Sequence, residues 1–190
     1  MVRNKLLFGV ILAYNSGASS GNLVLIQEQV ASASASIDFT TGITGYDIYY
    51  LSYYGVILSG TADLYLSVST DGGSSYSTSN YVTNGWENGG SSFNPYFFTG
   101  SPGALMGHFL GNNGGTIPLD ASAFIYHFGS SSFYKQIAVF QNNFFFASGN
   151  NGYGSFSTNW QQTTVVNAFQ LIPQSGTITS GTFKLYGVQN

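Results

Sequence analysis

Hydrophobic side chains recur at every second position along much of this chain, and this period constrains the fold more than any other feature. In the clearest stretch, Leu64, Leu66 and Val68 alternate with Tyr65 and Ser67. Successive side chains of a β-strand point to opposite faces, so a period of two predicts strands that bury one face. Gly, Ser and Asn interrupt the windows that are long enough to nucleate an amphipathic helix. The sequence therefore predicts an all-β fold.

The predicted strands are separated by turn signals. They cover residues 23–30, 33–39, 46–57, 63–70, 104–110, 121–128, 133–147, 162–172 and 177–186. The sequence Asp71-Gly72-Gly73 predicts a tight hairpin turn, because glycine adopts positive φ without steric cost. Many short strands at this spacing predict an antiparallel, jelly-roll-like β-sandwich.

The first residues differ in composition from the rest and predict a separate segment. The 190-residue chain divides into an N-terminal segment (1–14), a Gly/Ser linker (15–22) and one β-sandwich domain (23–190). The apolar run in residues 1–14 is too short to span a bilayer, so no membrane insertion is expected. Two interpretations stay open for this segment, namely an anchor and a retained signal-like sequence. The residues predicted to anchor the chain to a particle are Leu6, Leu7, Phe8, Val10, Ile11 and Leu12.

The composition excludes several classes of protein. Charged residues make up 6% of the chain, against roughly a quarter in an ordinary soluble domain. With Lys and Arg together at 4 and a net charge of -3, the chain has no basic surface for nucleic acid. The absence of Cys excludes disulfides, thiolate zinc sites and a cysteine nucleophile. Hydrophobic residues make up 43%, which is too many for a disordered chain.

The scarcity of charge also predicts self-association, because little repulsion keeps such molecules apart in solution. In the predicted strand at 121–128, Ala123 and Ile125 alternate with Phe124 and Tyr126, so both faces are apolar. One face can pack inward while the other still needs cover. Two explanations remain open for how the second face is covered. It packs against a neighbouring copy of the chain, or it packs within the same domain. We expect a homo-oligomer, with a homotrimer favoured.

Few residues could carry catalysis. Glu28 and Glu87 are the only two glutamates, whereas a glycosidase needs two carboxylates about 5–9.5 Å apart. Glu28 is predicted as a solvated strand residue and Glu87 as part of a Gly-rich loop, so this pair is not expected to act together. His108, His127 and Asp120 could contribute to a Ser-His-Asp triad, but we expect no strained turn that exposes a nucleophilic serine. The sequence thus predicts no catalytic residue, no metal site, no cofactor and no enzymatic activity.

Contact with carbohydrate is the ligand function that the composition favours. An aromatic ring can pack on a sugar while Asn, Gln and Ser side chains supply hydrogen bonds. Predicted loops at 84–88, 94–97 and 159–162 combine both residue types. We therefore predict Trp86, Tyr96 and Trp160 as glycan contacts.

Two sets of residues, one near each end of the predicted domain, carry a family resemblance. They are residues 25–29, 31–40, 64–74, 133–136, 164–169 and 175–187. The last of these, Ser-Gly-Thr-Ile-Thr-Ser-Gly-Thr-Phe-Lys-Leu-Tyr-Gly, is the most specific. Together they resemble a β-rich structural protein family of tailed bacteriophages, and they bracket nearly all of residues 23–190.

This resemblance implies a virion component of the tail-fibre or receptor-binding type, located in the phage particle outside the cell. The implied partners are other copies of the chain, other virion proteins through residues 1–14, and a host surface polysaccharide. Two alternatives remain open. They are a head decoration or cement protein of the capsid, and a secreted carbohydrate-binding module.

Overall fold

The computed structural model describes residues 22–89, 92–110, 118–145 and 151–189, and within these ranges it contains strands and no helix. The strands are β1 (Leu23–Ser34), β2 (Ile37–Phe39), β3 (Ile48–Leu58), β4 (Ala62–Ser69), β5 (Tyr81–Gly89), β6 (Ser92–Ser101), β7 (Ala104–Leu110), β8 (Leu119–Tyr126), β9 (Lys135–Phe145), β10 (Asn151–Trp160), β11 (Ala168–Pro173) and β12 (Ile178–Val188). The all-β prediction is confirmed. The predicted anchoring residues, from Leu6 to Leu12, and linker residues 15–21 lie outside the described part of the chain.

The strands form two antiparallel sheets. The large sheet has eight strands in the order β1-β12-β3-β8-β9-β10-β5-β6, and the small sheet has four in the order β2-β11-β4-β7. The first four strands alternate between the sheets, with β1 and β3 in the large one and β2 and β4 in the small one. The small sheet covers one side of the large sheet, where β7 packs on β9 and β10. We call the opposite side of the large sheet its outer face.

Side chains from both sheets meet in an apolar core. Leu64 and Leu66 of β4 are buried, as the alternation predicts. From the large sheet, the ring of Tyr53 stacks on Phe183 with centroids 6.0 Å apart. The Tyr53 hydroxyl donates a hydrogen bond to the Met106 carbonyl oxygen of β7 at 2.6 Å, which satisfies the buried polar atom. Each fully buried side chain of this size stabilises the fold by about 1.5–3 kcal/mol.

The single strand predicted over 33–39 is wrong, because the chain leaves the large sheet within it. β1 ends at Ser34, and β2 begins at Ile37 in the small sheet. Ala33 is exposed with a positive φ of 51°, although the alternation predicts a buried side chain. Ile37 and Phe39 are buried as predicted. Burying an alanine side chain gains little free energy because its apolar area is small. The larger Ile37 and Phe39 therefore determine which part of the segment packs in the core.

The sequence does not predict β5, β6 and β10, which extend the large sheet beyond β9. The predicted loops at 84–88 and 94–97 lie in β5 and β6. Their Gly, Ser and Asn content is typical of loops, but small residues also permit close packing between neighbouring strands. A Cβ at Gly85 of β5 would lie 2.4 Å from Cδ1 of Phe156 in β10, so only glycine fits there without a shift.

The predicted turn at Asp71-Gly72-Gly73 forms, but it does not join a hairpin. Gly72 and Gly73 have φ values of 75° and 91°, as the turn requires. The turn follows β4 of the small sheet and leads to β5 of the large sheet. The Asp71 carboxylate accepts hydrogen bonds from the Ser75 hydroxyl at 2.6 Å and the Ser69 hydroxyl at 2.7 Å. Both hydrogen bonds stabilise the charged carboxylate and lower the pKa of Asp71 to about 2, and the bond from Ser75 has the larger effect.

Candidate functional site

The outer face of the large sheet carries aromatic side chains on neighbouring strands. Tyr186 of β12, Tyr50 of β3 and Phe124 of β8 lie side by side in register. The ring of Tyr50 lies 5.2 Å from that of Phe124 and 6.1 Å from that of Tyr186. On the next strand, β9, the Phe140 side chain is 54% exposed. This face confirms that β8 is apolar on both sides.

A second aromatic group lies on the outer face where β10, β5 and β6 adjoin. The Trp86 ring stacks on Phe93 at 5.8 Å and meets the edge of Tyr153 at 5.4 Å. Aromatic residues thus occur on the outer face from β12 to β6. Phe93, Phe140 and Tyr153 are mostly exposed there, whereas the other rings of the two groups are half-buried.

The outer face also carries an ion pair that neutralises its own charge. Lys184 of β12 lies opposite Glu28 of β1, with Nζ 3.3 Å from Oε2. The Glu28 side chain is 43% exposed, which confirms its prediction as a solvated strand residue. The hydrogen bond to Glu28 raises the pKa of Lys184. The two charges offset each other, so this part of the face is close to neutral.

A polar cluster that the sequence does not predict lies between the two sheets. Glu87 of β5 is 1% exposed, and its Oε1 and Oε2 lie 2.9 and 3.0 Å from Nδ1 of His108 in β7. Gln141 of β9 donates a hydrogen bond from Nε2 to Oε1 of Glu87 at 3.2 Å. On the other side of the imidazole, Nε2 of His108 lies 3.9 Å from Oδ1 of Asp63 in β4. Tyr96 also belongs to the cluster. Its burial has the largest effect on its pKa and raises it, and a hydrogen bond to Glu87 raises it further.

The geometry separates the residues weighed above for catalysis. Glu28 and Glu87 lie on opposite sides of the large sheet and are separated by five strands, or roughly 29 Å at the usual strand spacing. The Asp120 carboxylate accepts a hydrogen bond from the Gly55 backbone N–H at 2.8 Å on the outer face. Among the described residues, no three His, Asp or Glu side chains converge in a way that could hold a metal ion.

The predicted glycan contacts occupy three different environments. Trp86 lies on the outer face, within reach of solvent. Tyr96 instead faces inward, with its ring 5.0 Å from that of His108. Trp160 is 5% exposed, and its indole N–H donates to the Ser77 hydroxyl and the Ser79 carbonyl oxygen. The alternation of β10 turns the Trp160 ring into the core and leaves almost no face for a sugar, so contact of Trp160 with a glycan stays a prediction that its burial does not favour.

A surface groove of about 780 Å³ opens at the ends of β3 and β8. Its lining residues are Gly45, Tyr46, Asp47, Ile48, Tyr126, His127, Gly129, Ser130 and Phe133. Phe133, whose side chain is 61% exposed, lies with its ring 5.2 Å from that of His127. Local sequence patterns give no signal for this groove, because its two walls are about eighty positions apart in the chain. The groove combines exposed rings, a carboxylate and a hydroxyl in one concave surface.

A buried lysine beneath the groove is a further feature that the sequence could have signalled. Lys135 follows Phe133 and Tyr134 at the start of β9 and is fully buried. Its Nζ donates hydrogen bonds to the carbonyl oxygens of Ser130, Phe133 and Thr163. Burial lowers the pKa of Lys135. A buried lysine needs hydrogen-bond acceptors for its ammonium group. The lysine in this strand therefore indicates that backbone carbonyl groups of a nearby loop turn towards it.

Comparison of the chain with protein-family models, with curated proteins and with solved structures found no match. The outer face, the buried cluster and the groove are therefore the features of the chain that bear on its function.

Proposed function

We propose that this chain is a non-enzymatic structural subunit of a tailed-phage virion, of the tail-fibre or receptor-binding type, which contacts a host surface glycan. Its copies pack through the outer face of the large sheet as a homotrimer, and residues 1–14 attach it to other virion proteins. The observation that carries the proposal is the aromatic outer face of a chain in which charged residues make up 6%. A large apolar surface on a soluble protein usually marks an interaction site.

The size of the outer face supports this proposal. Eight strands about 4.8 Å apart, with about ten residues each at 3.3 Å per residue, span on the order of 1,200 Å². A stable protein interface buries about 800 Å² on each partner. The paired charges of Glu28 and Lys184 add little repulsion between like faces. In a trimer, the same neutral surfaces of two neighbouring copies are therefore a suitable cover.

We further propose that the two sheets form a jelly roll extended by two hairpins. The strand orders β1-β12-β3-β8 and β2-β11-β4-β7 support this, because the first four strands alternate between the sheets. β5 with β6 and β9 with β10 would then be the additional hairpins, which widen the large sheet at one edge. This widening enlarges the outer face available to neighbouring copies.

A secreted carbohydrate-binding module is the second candidate function. The groove beside Phe133 favours it, because an exposed ring next to hydrogen-bonding groups suits a sugar. Such a module would not need the outer face as a subunit interface. The two functions therefore differ in the oligomeric state of the protein.

Light scattering after size-exclusion chromatography tests the subunit proposal. We expect the mass of a trimer at micromolar concentration. A Phe140→Asp substitution places a charge at the centre of the outer face and is expected to release monomers. Tyr134→Asp is the matched control, because Tyr134 is a similarly exposed aromatic residue in a loop outside this face. A monomeric parent protein, or a trimer that Phe140→Asp leaves intact, would contradict the proposal.

A further inference from the structure

We propose that the groove at the ends of β3 and β8 binds a neutral hexose unit of a glycan, with Phe133 as the stacking ring. The inference rests on the glycan-contact part of the proposed function and names its site. It replaces Trp160, which is buried, and adds a site remote from Trp86 on the outer face.

The walls of the groove are held together by backbone pairing. Ile48, near the start of β3, pairs with Tyr126 at the end of β8. Immediately beyond, the His127 backbone N–H donates to the Asp47 carbonyl oxygen at 3.2 Å. Asp47 and His127 are therefore neighbours across the two strands, and both line the groove.

Phe133 provides the apolar surface of the site. Phe133 follows Ser131 and Ser132 in a polar loop and is 61% exposed, which is unusual for a large apolar residue. The His127 ring lies 5.2 Å away at an interplanar angle of 43°, so the two rings form adjacent walls and do not cover each other. A hexose presents a face of C–H groups that can pack on such a ring, which would remove apolar area from water.

The loop that carries Phe133 is fixed before any ligand binds. The buried ammonium of Lys135 donates to the carbonyl oxygens of Ser130, of Phe133 at 3.0 Å and of Thr163 at 3.1 Å. The Ser130 hydroxyl oxygen accepts hydrogen bonds from the N–H groups of Ser132 and Phe133, each at 3.1 Å. A loop held from both sides loses little conformational entropy on binding, which favours affinity for a weak ligand.

The backbone of the groove is strained at one position. His127 has a φ of 66°, in the left-handed region that residues other than glycine rarely adopt. Two backbone hydrogen bonds stabilise this conformation. The His127 N–H donates to the Asp47 carbonyl oxygen, and the His127 carbonyl oxygen accepts from the Ser130 N–H at 3.0 Å. The conformation ends the strand alternation, so Phe128 enters the core while the His127 ring stays at the surface. Such strain often occurs where a side chain is positioned for a ligand.

The charge of the lining selects neutral sugars. Among the described residues that line the groove, none is Lys or Arg, and Asp47 is acidic. A carboxylate accepts hydrogen bonds from sugar hydroxyls but repels the carboxylate of a sialic acid or a phosphate group. The Ser130 hydroxyl oxygen already accepts two N–H groups, so its own hydrogen can be donated to a sugar oxygen.

Saturation-transfer NMR on the full chain tests the site with defined probes. The probes are maltotriose, mannotriose and galactotriose as neutral sugars and trisialic acid, which contains no neutral hexose, as an anionic one. We expect transfer to at least one neutral trisaccharide, and Phe133→Ala should raise its Kd at least about tenfold. Tyr134→Ala is the matched control and should leave the Kd unchanged, because Tyr134 is similarly exposed but does not line the groove.

The proposal fails if none of the neutral trisaccharides shows transfer, if Phe133→Ala binds like the parent, or if trisialic acid binds as well as the best neutral sugar. Light scattering on the same samples separates this result from the proposed function. A trimer without sugar binding overturns the groove alone. A monomer that binds sugar through Phe133 overturns the virion-subunit proposal and leaves the groove supported.

Discussion

Replacing His108 with leucine should destabilise the protein strongly, because it leaves the buried carboxylate of Glu87 without its closest partner. Glu87 is 1% exposed, and Nδ1 of His108 lies within 3.0 Å of both carboxylate oxygens. Leucine has a similar volume but cannot donate a hydrogen bond. Gln141 and Tyr96 would remain as neutral partners of the carboxylate.

The expected loss follows from the burial of the cluster. Leaving a buried carboxyl group without its hydrogen-bond partner costs about 3 kcal/mol. For a chain of this length, a loss of about 3 kcal/mol corresponds to roughly 6–12 °C in Tm. The double variant with Glu87→Leu removes the stranded carboxylate as well. It should therefore lose less stability than the sum of the two single variants.

Thermal denaturation followed by circular dichroism at one fixed protein concentration measures these losses. Lys184→Gln is the control, because it breaks the exposed pair with Glu28, where water solvates the remaining charge. We expect this control to leave Tm unchanged within error. The reasoning is refuted if His108→Leu lowers Tm no more than the control does, or if the losses of the two leucine variants simply add.

Two further predictions concern packing and pH. Gly85→Ala should cost about 1–3 kcal/mol in the free energy of unfolding, because its Cβ would lie 2.4 Å from Cδ1 of Phe156. Gly60→Ala, which meets nothing within 4 Å, should not, and equal denaturation midpoints would contradict this. The lowered pKa of Asp71, about 2 against an ordinary 3.8, means that its stabilisation is complete above about pH 4 and is lost as the pH falls towards 2. The amide shifts of Gly72 and Gly73, followed by NMR, should titrate with a midpoint near 2, whereas a midpoint near 4 would disprove the hydrogen-bonded turn.

Strands with large alternating side chains were predictable from the sequence. The prediction at 104–110 coincides with β7, and that at 63–70 differs from β4 by one residue at each end. In these strands, burial follows directly from side-chain size and period. The predictions failed where small or polar residues predominate, as in β5, β6 and β10. Such strands depend on their neighbours in the sheet for stability, and the local sequence does not indicate those neighbours.

The candidate sites were less predictable, because each joins residues that are far apart in the chain. Glu87 and His108 are separated by 21 positions and come from different sheets. The sequence correctly described Glu28 as a solvated strand residue, but it placed Glu87 in a loop. The alternation of Phe156, Thr158 and Trp160 with polar residues places Trp160 on the buried face of β10, but this follows only once the segment is known to be a strand.

The sequence by itself determined the all-β class, the low charge and the apolar residues on both faces of β8. These properties depend on composition and on the alternation of side chains along an extended backbone. Only the tertiary structure decided that the outer face carries two aromatic groups, that Glu87 lies beside His108 and that Asp47 and Phe133 line one groove. Strand order and register create these contacts between distant segments, and they result from the packing of the whole domain.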